Sequence, residues 1–137
     1  MEGRKEPELW TGSHNKNRLL FHLQLTPKYR MDILSGCLER FIISALRYAA
    51  YRHEIIIYSI KADIDHIHIL FQKNPILSEA EVAQYLKGIS SYLARLNFPC
   101  LKLYCDFAFW SSGYYIETIG NHWAIMQNYI NNQGIAK

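Results

Sequence analysis

Residues 53–72 read HEIIIYSIKADIDHIHILFQ. The first part, HEIIIYSIK (53–61), is short and β-branched, which is the make-up of a buried strand. The second, HIHILFQ (66–72), follows closely enough to be its hairpin partner. Successive strand side chains alternate between faces. Ile67, Ile69 and Phe71 therefore share one face and are expected to enter the core. His66, His68 and Leu70 share the other, which is expected to be the face that helices leave open. Asp63 and Asp65 either orient the histidines or begin the strand, and strand entry with local polarity is the favoured reading.

On the N-terminal side, apolar residues recur as Ile33/Leu34, Cys37/Leu38, Phe41/Ile42, Ala45/Leu46 and Ala49, a stripe that predicts a helix from Met31 to about Arg52. Cys37 falls on this stripe and is expected to pack. Before it, RLLFHLQLT (18–26) alternates Leu19, Phe21, Leu23 and Leu25 and predicts a strand that PKYR (27–30) ends. On the C-terminal side, Pro75 ends the hairpin, and Ser78 with Glu81 has capping-box spacing. Val82, Tyr85, Leu86, Ile89, Tyr92, Leu93 and Leu96 then predict one apolar helix face, closed by NFPC. FAFW and YYIETI, with Ser-Ser-Gly between them, give a last strand or a hairpin arm. Gly120 breaks the chain, and His122 to about Gln133 predicts a short final helix ended by Gly134.

The order is β-α-β-β-α-β plus one helix. It predicts an α+β, ferredoxin-like (RRM-like) antiparallel sheet with two helices on one face and an extra C-terminal helix. Residues 1–14 show no period and read as a loose arm, leaving 15–137 as one domain. The chain of 137 residues is 50% apolar, enough for a core. No apolar run approaches the roughly 20 residues of a membrane span, and MEGRKEPELW lacks the apolar stretch of a signal peptide. Three cysteines without a second ligand pair argue against a disulfide framework or a zinc site, and cytoplasmic residence is expected. The formal net charge of +3 permits a nucleic-acid partner without demanding one.

Two imidazoles at i and i+2 on one sheet face lie close enough to share a metal ion, and neutral imidazole is a common ligand. In NYINNQ (128–133), Tyr129 and Gln133 stand at i and i+4, on one face of the final helix. A helix this short must dock to persist. If it docks on the open sheet face, a phenol, an amide oxygen and two imidazoles converge. Two nitrogens and one oxygen leave positions on a divalent ion for phosphate oxygens and water. A tyrosine beside it is then a nucleophile toward phosphorus, although a phenol with an ordinary pKa of about 10 needs help.

These residues resemble a known family. His66-Ile67-His68 resembles the HUH motif, in which U is apolar, and NYINNQ resembles the helix of the single-tyrosine HUH transposases of the insertion sequence 200/605 type. FHLQLTPKYR (21–30), DIDHIHIL (63–70), KGISSYL (87–93) and FWSSGYYIETIG (109–120) resemble its other segments, in the same order. The resemblance implies that Tyr129 forms a 5′-phosphotyrosine link to DNA and frees a 3′-hydroxyl. It implies that His66 and His68 bind Mg or Mn with Gln133 as third ligand. It further implies single-stranded DNA hairpins at element ends as partners, and a homodimer in which the tyrosine helix can act in trans. Lys28, Arg30, Lys87 and Arg95 are the phosphate-contact candidates. Met31, Asp32, Ile89 and Tyr92 stand where the family tends to carry basic residues, which implies fewer phosphate contacts and a weaker salt-dependent grip on DNA.

The competing reading is an inactive or domesticated hairpin-binding domain derived from such an enzyme. The intact quartet of His66, His68, Tyr129 and Gln133 opposes it, because binding alone needs no nucleophile. A cyclic-phosphodiester enzyme would carry paired His-x-Thr/Ser motifs, and none of the six histidines has Thr or Ser at +2. A replication-initiating nickase uses similar chemistry in a larger chain.

Overall fold

The computed structural model describes residues 19–103 and 108–120. The expected N-terminal arm, Cys105 and the expected final helix with Tyr129 and Gln133 lie outside the described residues. Within them the chain runs β1 (Leu20–Leu25), α1 (Gly36–Arg52), β2 (Ile55–Asp63), β3 (His66–Lys73), α2 (Glu79–Asn97) and β4 (Tyr115–Gly120). The described strands form one sheet in the order β2-β3-β1-β4, every neighbouring pair antiparallel. This is the expected ferredoxin-like arrangement.

The alternation in β1 and β3 puts Phe21, Leu23, Leu25, Ile67, Ile69 and Phe71 against Ile42, Leu46 and Ala49 of α1 and Val82, Leu86 and Ala94 of α2. Each is nearly or fully shielded from water. Fully burying one Leu, Ile or Phe side chain stabilises by about 1.5–3 kcal/mol, so this layer is the main source of fold stability. The capping box forms as expected: Ser78 Oγ accepts the Glu81 N–H at 3.0 Å, and the Glu81 carboxylate accepts the Ser78 N–H at 2.9 Å.

Several expectations are corrected. The first helix starts at Gly36, not Met31. Lys28–Arg30 forms a short 3-10 turn, and the Leu34 N–H donates to the Ile64 carbonyl at 3.0 Å, pinning residues 31–35 to the β2–β3 turn. Gly36, with φ of 60°, then swings the chain into α1. Cys37 is exposed on the first turn of α1, where Arg40 Nη2 lies 3.4 Å from its Sγ, so it does not pack. Tyr92 and Leu96 are exposed on α2 although they continue its apolar face. Leu70, expected on the open face, is buried with Leu20, Tyr58 and Ile119 in a second small cluster. Among the described residues no helix is long and apolar enough to cross a membrane.

Candidate functional site

His66 opens β3 directly after the two-residue turn from β2, with Asp63 opposite it in the ladder. Its Nδ1 lies 2.7 Å from Asp65 Oδ1, and its Nε2 lies 2.9 Å from Asp63 Oδ2. A neutral imidazole carries one N–H. With that N–H donated to Asp65, the Nε2 lone pair would face a carboxylate lone pair. The contact is favourable only with a proton or a cation between them. Asp65 and Asp63 therefore orient this ring, which corrects their assignment as strand-start polarity. The His66 hydrogen bond, followed by the Arg30 charge, holds the Asp65 carboxyl below its ordinary range.

His68 stands two residues on and shares its face. The two rings meet edge to face, with centroids 4.8 Å apart. His68 Nδ1 lies 2.9 Å from Nε2 of His22 on β1. The His22 and His68 planes differ by only 18° with centroids 4.9 Å apart, the geometry of rings bonded edge to edge in nearly one plane. Beyond His22, Glu117 of β4 pairs with it in register, and Glu117 Oε2 lies 3.8 Å from His22 Nδ1. Burial pushes His68 below the usual histidine range, helped by the neighbouring His22 and His66 and opposed by Asp63. Burial does the same to His22, opposed by Glu117. Both shifts favour the neutral imidazole, the form that ligates a metal.

Asp63, His66 and His68 each offer one donor atom, and these atoms lie within 4.8 Å of one another. Two imidazoles and a carboxylate fit a divalent ion that completes its shell with water and phosphate oxygens. The expected pair of histidines is thus brought together. Gln133, the expected third ligand, lies outside the described residues. Sequence reasoning missed His22 altogether and did not count Asp63 among the metal donors. The signal for His22 was available: it and Gln24 occupy the positions that the β1 apolar alternation turns away from the core.

The four basic candidates separate. Arg30 is tied to Asp65, Nε to Oδ2 at 3.0 Å. Lys87 Nζ donates to the Gly113 carbonyl at 2.8 Å, and burial lowers its pKa. Lys28, Lys87 and Arg95 line one groove of about 410 Å³ together with the exposed Tyr92 and with Trp110. Ser91 lines this groove, and the buried Ser90 holds Trp110 of its wall. The Ser90 hydroxyl accepts the Trp110 indole N–H at 2.8 Å, and the Ser91 hydroxyl accepts the Phe109 N–H at 2.9 Å. A second cleft of about 490 Å³ lies against the histidine side of the sheet, lined by Gln24, Tyr29, Arg30, Tyr114 and Tyr115 among others. Gln24 is the ladder partner of both His68 and Tyr115.

Residues 15–133 match the family described as IS200-like transposases. The chain belongs to that family. Two curated relatives, the transposases for insertion sequence element IS200 of Salmonella typhimurium (strain LT2) and of Salmonella typhi, are each 34% identical to it over 122 residues, covering 88% of this chain and 80% of theirs. A crystal structure of a transposase candidate from Deinococcus radiodurans R1 superposes with a TM-score of 0.70 at 25% identity, covering 97% of both chains. A REP-associated tyrosine transposase bound to a REP hairpin shares the fold, with a TM-score of 0.60 at 8% identity over 95% of this chain and 68% of that one. In this IS200-like transposase the Asp-x-Asp-His-x-His stretch forms the donor cluster, and the Lys-Gly-x-Ser-Ser stretch clamps the segment before β4 onto α2.

Proposed function

We propose that this transposase cleaves and rejoins single-stranded DNA at the ends of an insertion sequence through a covalent tyrosine intermediate. The Tyr129 hydroxyl gives its proton to water as its oxygen attacks a backbone phosphorus, the bond from phosphorus to the 3′ oxygen breaks, and that oxygen takes a proton from water and leaves as a 3′-hydroxyl. A 5′-phosphotyrosine link remains, and attack by a second 3′-hydroxyl reverses the step to join new ends. His66 and His68 would hold a divalent ion, Mg or Mn, with Asp63 beside them and Gln133 carried over from the family resemblance. When bound, such an ion neutralises the phosphodiester and stabilises charge developing on the oxygens at phosphorus.

The observation that carries this reading is the Asp63–His66–His68 donor cluster, its atoms within 4.8 Å, in a chain of this family. Hairpin DNA as substrate is supported by the structural neighbour bound to a REP hairpin and by the groove that Lys28, Arg95 and Tyr92 line. A homodimer with the tyrosine helix in trans belongs to the same proposal and rests on the resemblance alone.

The test is covalent trapping. The protein is mixed with labelled single-stranded DNA from the ends of its own element and with Mg or Mn, then run on a denaturing gel. A metal-dependent shifted band absent in Tyr129→Phe is the expected result. Hairpin binding without any band, in the presence of either ion, would favour the inactive binder. The ties that occupy Arg30 and Lys87 lend that alternative its weight.

A further inference from the structure

A metal ligand needs a ring nitrogen with a free lone pair. In His68 the Nδ1 is already engaged, 2.9 Å from His22 Nε2. One proton lies between these two nitrogens, and its side decides what His68 can do. If His22 donates, His68 carries its own proton on Nε2 and has no lone pair left for an ion. If His68 donates, its Nε2 is the bare nitrogen. His22 then carries its proton on Nδ1, which lies 3.8 Å from Glu117 Oε2, outside hydrogen-bond distance but within the carboxylate's field. The opposite arrangement would leave a lone pair on that nitrogen, and the carboxylate's negative charge repels it. Glu117 thus selects the His22 tautomer, and His22 selects that of His68.

We propose that His22 is a positioning residue: backed by Glu117, it accepts the His68 Nδ1–H and leaves His68 Nε2 as the metal-facing nitrogen. The two histidines of the cluster then have separate supports on opposite sides. His66 leans on Asp65 and Arg30 from the turn after β1, and His68 leans on His22 and Glu117 across β1 and β4. Such outer partners fix tautomer and ring orientation in metal-ligating histidines generally, and their loss costs about 10- to 100-fold in metal affinity. The role presumes the metal site proposed above, but the tautomer can be read without any ion.

The experiment combines two readouts on the full chain. Long-range proton–nitrogen NMR of the metal-free protein assigns the protonated nitrogen of His68, and titration calorimetry with Mn²⁺ gives the affinity. Three proteins are compared: wild type, His22→Gln and His22→Phe. The glutamine amide oxygen can still accept the His68 N–H, whereas phenylalanine keeps the ring's bulk and removes the acceptor. The expected result is His68 protonated on Nδ1 in wild type and His22→Gln. In His22→Phe that preference is lost and Mn²⁺ binds about 10- to 100-fold more weakly. An unaltered tautomer and affinity in His22→Phe, or a His22→Gln protein as impaired as His22→Phe, would overturn the proposal. If His22→Phe does not fold, Glu117→Gln is read the same way, with the tautomer preference expected to weaken. A wild type that shows the expected tautomer but does not bind Mn²⁺ would overturn the metal reading instead.

Discussion

Arg30 reaches from the turn after β1 to Asp65 in the β2–β3 turn, its Nε 3.0 Å from Oδ2. The other oxygen of the same carboxylate takes the His66 N–H at 2.7 Å. This reach has a backbone cost. Tyr29 and Arg30 both sit at positive φ, 62° and 52°, and each such non-glycine residue costs about 1 kcal/mol or more. The turn is held where it begins: the Lys28 N–H donates to the Phe109 carbonyl at 2.8 Å, and the Ser111 N–H donates to the Thr26 carbonyl at 2.7 Å. Strain kept in place beside a ligand cluster is the pattern of a positioned side chain, not of a loose surface turn.

Asp65→Ala is therefore expected to act on metal binding and not on folding. It frees the His66 ring and should weaken Mn²⁺ binding about 10- to 100-fold. The urea midpoint should barely move, because the carboxylate is at the surface. Arg30→Ala should follow in the same direction with a smaller effect. Calorimetry beside a denaturation curve checks this. Full affinity in Asp65→Ala would make the Arg30–Asp65 pair an ordinary surface contact.

Asp63 separates two accounts of the His66 Nε2 contact. As a ligand, its removal in Asp63→Ala should lower Mn²⁺ affinity by on the order of tenfold or more, and chelation by EDTA should abolish any cleavage by the wild type. As a simple hydrogen-bond acceptor for the His66 ring, it competes with an ion for that nitrogen, and its removal should not weaken binding. The same titration distinguishes them.

The clamp between α2 and the segment before β4 predicts a stability effect away from the cluster. Ser90 is fully buried, and its hydroxyl both accepts from the Trp110 indole and donates to the Leu86 carbonyl. Ser90→Ala leaves the buried indole N–H without that acceptor and should cost about 1–3 kcal/mol by urea unfolding. Trp110→Phe in the Ser90→Ala background should add less than Trp110→Phe does alone, since the orphaned group is gone. Simple additivity would mean that the indole finds another partner.

The element order was legible because β1 and β3 alternate cleanly and α2 carries its own capping box. The cluster was legible only along the strand that contains it. His66 and His68 announce themselves as neighbours in sequence, whereas His22 and Glu117 reach His68 through ladder register, which a single sequence does not print. Ile33 and Leu34 misled for a related reason. Their spacing continues the α1 stripe, yet the Leu34 N–H is spent on the Ile64 carbonyl, a tertiary bond with no local signature. Tyr92 and Leu96 misled by phase. The stripe that is buried along α2 runs Val82, Leu86, Ser90 and Ala94, and at about 100° per residue Tyr92 and Leu96 lie on the flank turned away from it, although their own spacing looks apolar.

That flank puts Tyr92, 62% exposed, in the wall of a basic groove, and it permits a test of how DNA is held. Phosphate contacts and base stacking differ in their response to salt. Lys28 stands at the groove with its ammonium 5.6 Å from the Tyr29 ring. If it neutralises one phosphate of a single strand, Lys28→Ala should reduce the slope of log affinity against log salt by about 0.7. If Tyr92 stacks on a base, Tyr92→Ala should cost about 1–3 kcal/mol of binding at every salt concentration and leave the slope alone. Fluorescence anisotropy with a hairpin from the element end, at several salt concentrations, reads both. Wild-type affinity and slope in both variants would exclude this groove as the DNA path and leave the cleft beside Gln24, Tyr114 and Tyr115 as the surface to probe.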